Sequence, residues 1–284
     1  MDKFVKLKDG AIMPKLGQGT WFLGEDKRFE KDEIESIKTG IENGMTLIDT
    51  AEMYGEGLTE ELIAKAIKEY DREKLFLVSK VYPHNAGRNK IFNSCENTLK
   101  RLGVKYLDLY LLHWRGSVPL SETVECMEEL VARGKIKRWG VSNFDIDDME
   151  ELMSVKNGDK CAVNQVLYHL GSRGIEYSLY PWMKEHNIPV MAYCPMAQGG
   201  SLNRSINKNP ILNEIAKKYD LSIQELLLAF VLKQENIIAI PRTGNPKHAL
   251  RNSKVINVNL AEEDLELMNK EFPAPNRKVY LDIV

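Results

Sequence analysis

Apolar positions along this chain fall into short, nearly continuous runs, separated by longer stretches in which they recur every three or four residues. The short runs predict buried strands, and the periodic stretches predict helices packed by one face. The opening differs. Phe4-Val5-Lys6-Leu7, Lys8-Asp9-Gly10 and Ala11-Ile12-Met13 predict a β-hairpin that turns at the Asp-Gly pair.

After Pro14 a strand–helix alternation sets in. A strand at Leu16 to Gly19 leads to a helix at about 31–43, and Thr46 to Asp49 to a helix at about 59–69, with Leu62, Ala66, Ile67 and Tyr70 on one face. Leu75 to Lys80 precedes a helix at 88–101 stopped by Gly103, and Tyr106 to His113 precedes a helix whose stripe is Leu120, Val124, Met127, Leu130 and Val131, ending at Gly134. Ile136 to Ser142 precedes a helix capped by Asp145 and running to about 155, and Cys161 to Gln165 precedes one at 175–187. Pro189 to Tyr193 is followed by two helices, about 210–219 and 222–234, the second opened by a Ser222/Glu225 capping box. Ile237 to Ile240 leads to a helix begun by Asn245-Pro246, and a last helix covers about 261–270.

Eight short strands alternating with helices predict an α/β fold, a parallel (β/α)8 barrel preceded by a hairpin and carrying two extra helices. No linker or low-complexity tract divides it, so residues 1–284 are expected to form one domain. The length suits such a barrel. A formal charge of −2 gives no basic face for nucleic acid or membrane. Cysteines 95, 126, 161 and 194 lack disulfide or zinc spacing and are expected to be reduced. With no apolar signal region after Met1 and no run of membrane-spanning length, a cytoplasmic, monomeric protein is expected.

Barrels of this kind gather functional groups at the C-terminal ends of their strands. Those ends read Gly19-Thr20-Trp21, Asp49, Lys80, His113-Trp114, Ser142-Asn143, Gln165, Tyr193 and Arg242-Thr243. A buried acid requires a cation, and Lys80 closes the strand after the one that Asp49 closes. Tyr54 lies five residues beyond Asp49, and His113 closes the strand after Lys80. A tyrosine with a pKa near 10 is a weak acid; a neighbouring lysine is expected to lower that value, with the aspartate holding the lysine in place. Such a group can protonate a carbonyl oxygen while a hydride, which no side chain supplies, reaches the carbon. His84, His113, His169, His186 and His248 show no metal-binding pattern.

The stretches Gly17-Gln18-Gly19-Thr20-Trp21, Ile48-Asp49-Thr50-Ala51 with Tyr54, Val78-Ser79-Lys80, Leu111-Leu112-His113-Trp114, Gly140-Val141-Ser142-Asn143-Phe144, Asn164-Gln165 and Ile240-Pro241-Arg242 resemble the aldo-keto reductases, in order and over nearly the whole chain. Gly44 to Tyr54 and Tyr168 to Tyr177 are most similar to bacterial members that reduce methylglyoxal and related 2-oxoaldehydes. The resemblance implies Tyr54 as proton donor, tuned by Lys80 and Asp49, with His113 orienting the substrate carbonyl. It implies that Ser142, Asn143 and Gln165 hold a nicotinamide carboxamide and that Tyr193 stacks on the ring. It assigns Gly19, Thr20, Trp21, Asp49, Cys194, Pro195, Met196, Gln198 and Ile240 to the same cofactor, with Gln198-Gly199-Gly200 as a loop over its pyrophosphate.

At the other end, Arg242, Thr243 and the helix start at Asn245-Pro246 form a candidate anion site. By resemblance it takes the 2′-phosphate of NADPH. Arg242 stands where a lysine is usual, His248 where an arginine is usual, and Asn252 keeps the adenine-side position. NADPH is therefore expected to be preferred, with NADH a weaker alternative, because a histidine is only partly charged near neutrality.

Trp21, Phe22, Tyr82 and Trp114, with Tyr54 and His113, are the candidate substrate walls for a small carbonyl compound. The short tail after Lys270 predicts an open or small pocket. Trp139 and Trp182 are expected to pack. Gly17-Gln18-Gly19 fails as a dinucleotide loop because Phe22 occupies the third glycine position. Tyr70 to Lys74 has a tyrosine–lysine spacing but falls at the start of a strand, on the barrel's opposite face. The rival reading is an NADPH-binding regulatory or redox-sensing module with little turnover.

Overall fold

The computed structural model describes residues 2–197 and 205–284. A hairpin of β1 (Phe4–Lys6) and β2 (Ile12–Pro14) pairs antiparallel around Gly10, whose φ of 86° suits the Asp-Gly turn. The barrel strands are β3 (Gly17–Gly19), β4 (Leu47–Asp49), β5 (Phe76–Val81), β6 (Leu109–Leu112), β7 (Trp139–Ser142), β8 (Asn164–Leu167), β9 (Val190–Tyr193) and β10 (Ile237–Ala239). Each pairs in parallel with its sequence neighbour. The ring closes where Leu16 bridges Ala239 and Gly19 bridges Arg242, through Ala239 N to Lys15 O at 2.9 Å and Gly19 N to Pro241 O at 3.0 Å.

Helices α1 (Glu30–Glu42), α2 (Leu58–Ile67), α3 (Ile91–Leu102), α4 (Leu120–Ala132), α5 (Ile146–Ser154) and α6 (Leu179–Glu185) follow β3 to β8 in turn. Beyond β9 come α7 (Pro210–Lys218) and α8 (Ile223–Lys233), and beyond β10 come α9 (Pro246–Lys254) and α10 (Glu262–Glu271). The capping boxes form at Asp145/Asp148 and Ser222/Glu225, and Asn245 caps α9 with Pro246 in its first turn.

The strands expected from Tyr106 and Ile136 begin at Leu109 and Trp139, with Leu107 and Ile136 joined by an isolated bridge, and two further elements move. The helix expected at 175–187 is instead a short 3-10 turn, Gly174–Glu176, followed by α6. Pro181 explains the break: it lacks an N–H and clashes with the carbonyl four residues back, so it is tolerated only in a first turn. The strand expected at Cys161 to Gln165 runs from Asn164 to Leu167, because the preceding 3-10 turn, Gly158–Lys160, delays pairing.

Strand side chains alternate between faces, and this alternation sorts the barrel. Leu47, Phe76, Val78, Leu109, Leu111, Met191 and Ile238 form one buried cluster inside it, floored by Val5, Leu7 and Met13 of the hairpin region. Ile48, Leu77, Val81, Tyr110 and Leu112 belong to the second cluster, beneath the helices. The inward parity continues upward: Asp49 follows Leu47, Lys80 follows Val78 and His113 follows Leu111. Polar groups therefore crown an apolar plug at the C-terminal end of the strands.

Candidate active site

Lys80 is fully buried, and its ammonium makes three hydrogen bonds: to Asp49 Oδ2 at 2.8 Å, Thr50 O at 3.0 Å and Tyr54 Oη at 2.8 Å. An ammonium has three protons and no acceptor, so every donor is used. The second Asp49 oxygen accepts from Gln165 Nε2 at 2.8 Å. Tyr54 arrives by a 3-10 turn, Tyr54–Gly57, in which Gly55 and Gly57 have φ of 55° and 97°. Tyr54 itself is reached by the tight turn in which its N–H donates to Ala51 O at 3.1 Å.

Because lysine can only donate, Tyr54 Oη accepts from it and keeps its own O–H for another partner. Burial, then the Asp49 charge, raises the Tyr54 phenol well above its ordinary value. The expected lowering by Lys80 does not prevail: burial strips the phenolate of its hydration, and the Asp49 charge adds to the rise. Tyr54 is therefore a protonated phenol. Burial likewise raises Asp49 and lowers Lys80, and each partner's charge opposes the shift in the other. The pair titrates as a unit.

His113 lies 5.9 Å from the Tyr54 ring, edge to face, and its Nδ1 is buried without a hydrogen-bond partner. Burial, reinforced by Lys80, holds its imidazole at about 2, so the ring is neutral and offers one N–H. Asn143 Nδ2 donates to His113 O at 3.1 Å, and Tyr193 Oη donates to Asn143 Oδ1 at 2.8 Å. Asn143 does this from a left-handed backbone, φ 58°, a conformation its short side chain tolerates. Ser142 Oγ donates to Gln165 O at 2.9 Å.

Asp49, Tyr54, His113, Ser142, Asn143, Gln165 and Tyr193 line a cleft of about 830 Å³ together with Gly19, Thr20, Trp21, Trp114, Cys194 and Ile240, and Lys80 lies beneath it. A second cavity, about 980 Å³, is lined by Met196, Thr243, Asn245, Lys247, His248 and Asn252, among others. Arg242 borders both, and its Nε donates to Trp21 O at 2.9 Å. The two spaces therefore adjoin along the top of the barrel, one beside Tyr54 and the other beside a basic helix start. At that start Asn245 N donates to Thr243 Oγ1 at 3.1 Å and Lys247 N to Asn245 Oδ1 at 2.9 Å. The Lys247 amide is thus engaged within the chain, while the side chains of Arg242, Lys247, His248 and Arg251 border the second cavity.

Several expected residues sit elsewhere. Tyr82 is not part of the cleft wall: it packs edge-on to Trp114, 5.9 Å between centroids, and its hydroxyl donates to Glu56 at 3.2 Å. Pro195 borders neither cavity. Gln198, with Gly199 and Gly200, lies outside the described residues. Tyr70 Oη donates to Glu42 at the C-terminal end of α1, away from the cleft. Trp139 is buried and bonds Glu128, while Trp182 stacks on His186.

The short tail, expected to leave an open or small pocket, itself contributes to the wall: Ile283 and Val284 line the cleft. Leu281 packs on the core, Ser172 Oγ hydrogen-bonds Asp282, and Lys278 meets Asp147 at 3.4 Å, which together bring the tail across. Met53 and Arg115 in the cleft, and Lys247 and Arg251 in the second cavity, were also missed. For the last two a signal existed: they sit one helical turn apart, immediately before His248 and Asn252.

Against known proteins, a barrel with this crown of acid, lysine, tyrosine and histidine defines a carbonyl oxidoreductase scaffold. The profile of the Aldo/keto reductase family matches residues 15–271, and the chain belongs to that family. It is 49% identical over 282 residues to the methylglyoxal reductase YeaE of Escherichia coli (strain K12), covering 99% of each chain. It is 34% identical to a glyoxal reductase of Bacillus subtilis (strain 168), over 92% of this chain and 90% of the relative. The crystal structure of an aldo/keto reductase from Klebsiella pneumoniae in complex with NADP and acetate superimposes with a TM-score of 0.97, at 45% identity and full coverage of both chains.

The buried histidines generate a pH dependence. Burial lowers His169 to about 4, against Asp282, and His113 to about 2. Below the ordinary value near 6.5 the unfolded chain binds more protons than the folded one, so stability is full above pH 6.5 and declines below it. Unfolding free energy from urea titrations is expected to fall as pH drops from about 6.5 toward about 4. His169→Asn should make that decline shallower; an unchanged slope would show that His169 does not contribute.

Proposed function

We propose that this protein reduces aldehydes and ketones with NADPH, that Tyr54 delivers the proton to the carbonyl oxygen, and that methylglyoxal-like 2-oxoaldehydes are among its substrates. The observation that carries this reading is the direction of the Lys80–Tyr54 hydrogen bond, which leaves a protonated phenol facing the cleft. Lys80 and Asp49 hold that phenol in place, and neutral His113 offers an N–H to the same oxygen. Trp21, Phe22, Met53, Trp114 and Ile283 exclude water from the reacting carbonyl.

NADPH fits the two adjoining cavities: an apolar cleft beside Tyr54 for a nicotinamide, and Arg242, Lys247 and His248 around the second space for a phosphate. Ser142, Asn143 and Gln165 would hold the carboxamide and Tyr193 the ring face. The cofactor supplies the hydride. Thr243 and Asn252 border the second cavity, where they would face the phosphate and adenine of the cofactor. The 2-oxoaldehyde assignment rests on the methylglyoxal and glyoxal reductases among the relatives.

A single domain is supported by the continuous barrel interior. A monomer is the expected state, which a light-scattering mass tests. Four free cysteines among the described residues support a cytoplasmic setting. No helix of the described residues is long and apolar enough to cross a membrane.

Tyr54→Phe should bind NADPH normally and lose roughly 10²-fold or more in kcat with methylglyoxal, followed by NADPH absorbance; near-normal turnover rejects the proton-donor role. Arg242→Ala should weaken NADPH far more than NADH in fluorescence titrations. Equal losses for the two cofactors would remove Arg242 from the phosphate site.

A further inference from the structure

Glu60 is a fully buried carboxylate that touches neither cavity. Burying a charge away from substrate is costly unless its partners are fixed, and here both partners bear on the active site from outside the barrel. Glu60 Oε1 accepts from Ser79 Oγ at 2.8 Å, and Oε2 from Arg101 Nε at 2.6 Å. Ser79 immediately precedes Lys80 on β5, and by strand alternation it faces outward where Lys80 faces inward. Glu60 is the third residue of α2, the helix that continues directly from the Tyr54–Gly57 turn. Arg101, on the last turn of α3, lies against that turn: a Cβ on Gly57 would stand 2.6 Å from Arg101 Cδ.

We infer that Glu60 is a positioning residue, clamping the turn that carries Tyr54 to the strand that carries Lys80 through Ser79 and Arg101. The inference rests on the roles proposed for Tyr54 and Lys80. Asp49 fixes the lysine from inside the barrel, and Glu60 fixes the tyrosine's turn from outside it. The Tyr54–Lys80 contact is held between the two. Glu60 acts on Lys80 by charge as well: in this water-poor setting its field favours the ammonium, in the same direction as Asp49.

Two variants separate positioning from plain structural support. Ser79→Ala removes the link to the strand and keeps the Glu60–Arg101 pair, so the fold is retained. Glu60→Gln keeps an acceptor for Ser79 and removes the charge. Each is measured for NADPH dissociation constant, kcat with methylglyoxal and the pH profile of kcat, beside Tyr54→Phe. The expected result for Ser79→Ala is a kcat lower by about tenfold with NADPH binding within about twofold of the parent. For Glu60→Gln the basic limb of the profile should move to lower pH, because the ammonium loses a stabilising charge.

If Ser79→Ala keeps the parental kcat and profile while Tyr54→Phe is inactive, the clamp is overturned and the tyrosine assignment stands. If Tyr54→Phe itself turns over normally, the underlying reading fails instead. Should Glu60→Gln not fold, Ser79→Ala decides alone.

Discussion

A lysine without access to water must have every ammonium proton bound, and Lys80 meets that requirement with one carboxylate, one carbonyl and one phenol. Removing one member of a buried ion pair strands the other, at a cost of about 3–5 kcal/mol. Much of the site follows from this one arrangement. The carboxylate fixes Gln165 through its second oxygen. The phenol accepts, and so keeps its proton for the cleft. The positive charge disfavours a second cation nearby, which helps keep His113 neutral.

The barrel supplies the geometry. Inward positions on β4, β5 and β6 run from apolar residues at the bottom to Asp49, Lys80 and, just past the strand, His113, so three polar groups share a layer above a plug with no use for water. The outward positions of the same strands meet helices, which lets Ser79 communicate with Glu60 while its neighbour Lys80 faces the chemistry. Arg242, at the closing seam between β3 and β10, joins the reactive cleft to the basic cavity. The two spaces thus offer one apolar end and one basic end along the top of the barrel.

Much of this was legible in the sequence for a physical reason: a polar residue ending an apolar run cannot be mistaken for core. Asp49, Lys80, His113, Ser142 and Gln165 stand out in that way. What escaped depends on long-range packing. Ile283 and Val284 are apolar residues in a tail, and nothing local says they cross the cleft. Glu60 reads as one more charge on an amphipathic helix until Ser79 and Arg101 are seen around it. The direction of the Tyr54 shift depends on the depth at which the phenol is buried, with the Asp49 charge second, and a linear sequence does not show that depth.

The account stands or falls on where a substrate oxygen sits. A crystal structure of the protein with NADP and a bound small carbonyl or carboxylate compound measures this directly. The account predicts an oxygen of that compound within about 2.6–3.2 Å of both Tyr54 Oη and a His113 ring nitrogen. An oxygen held away from Tyr54, with the phenol hydrogen-bonded to protein instead, would contradict it.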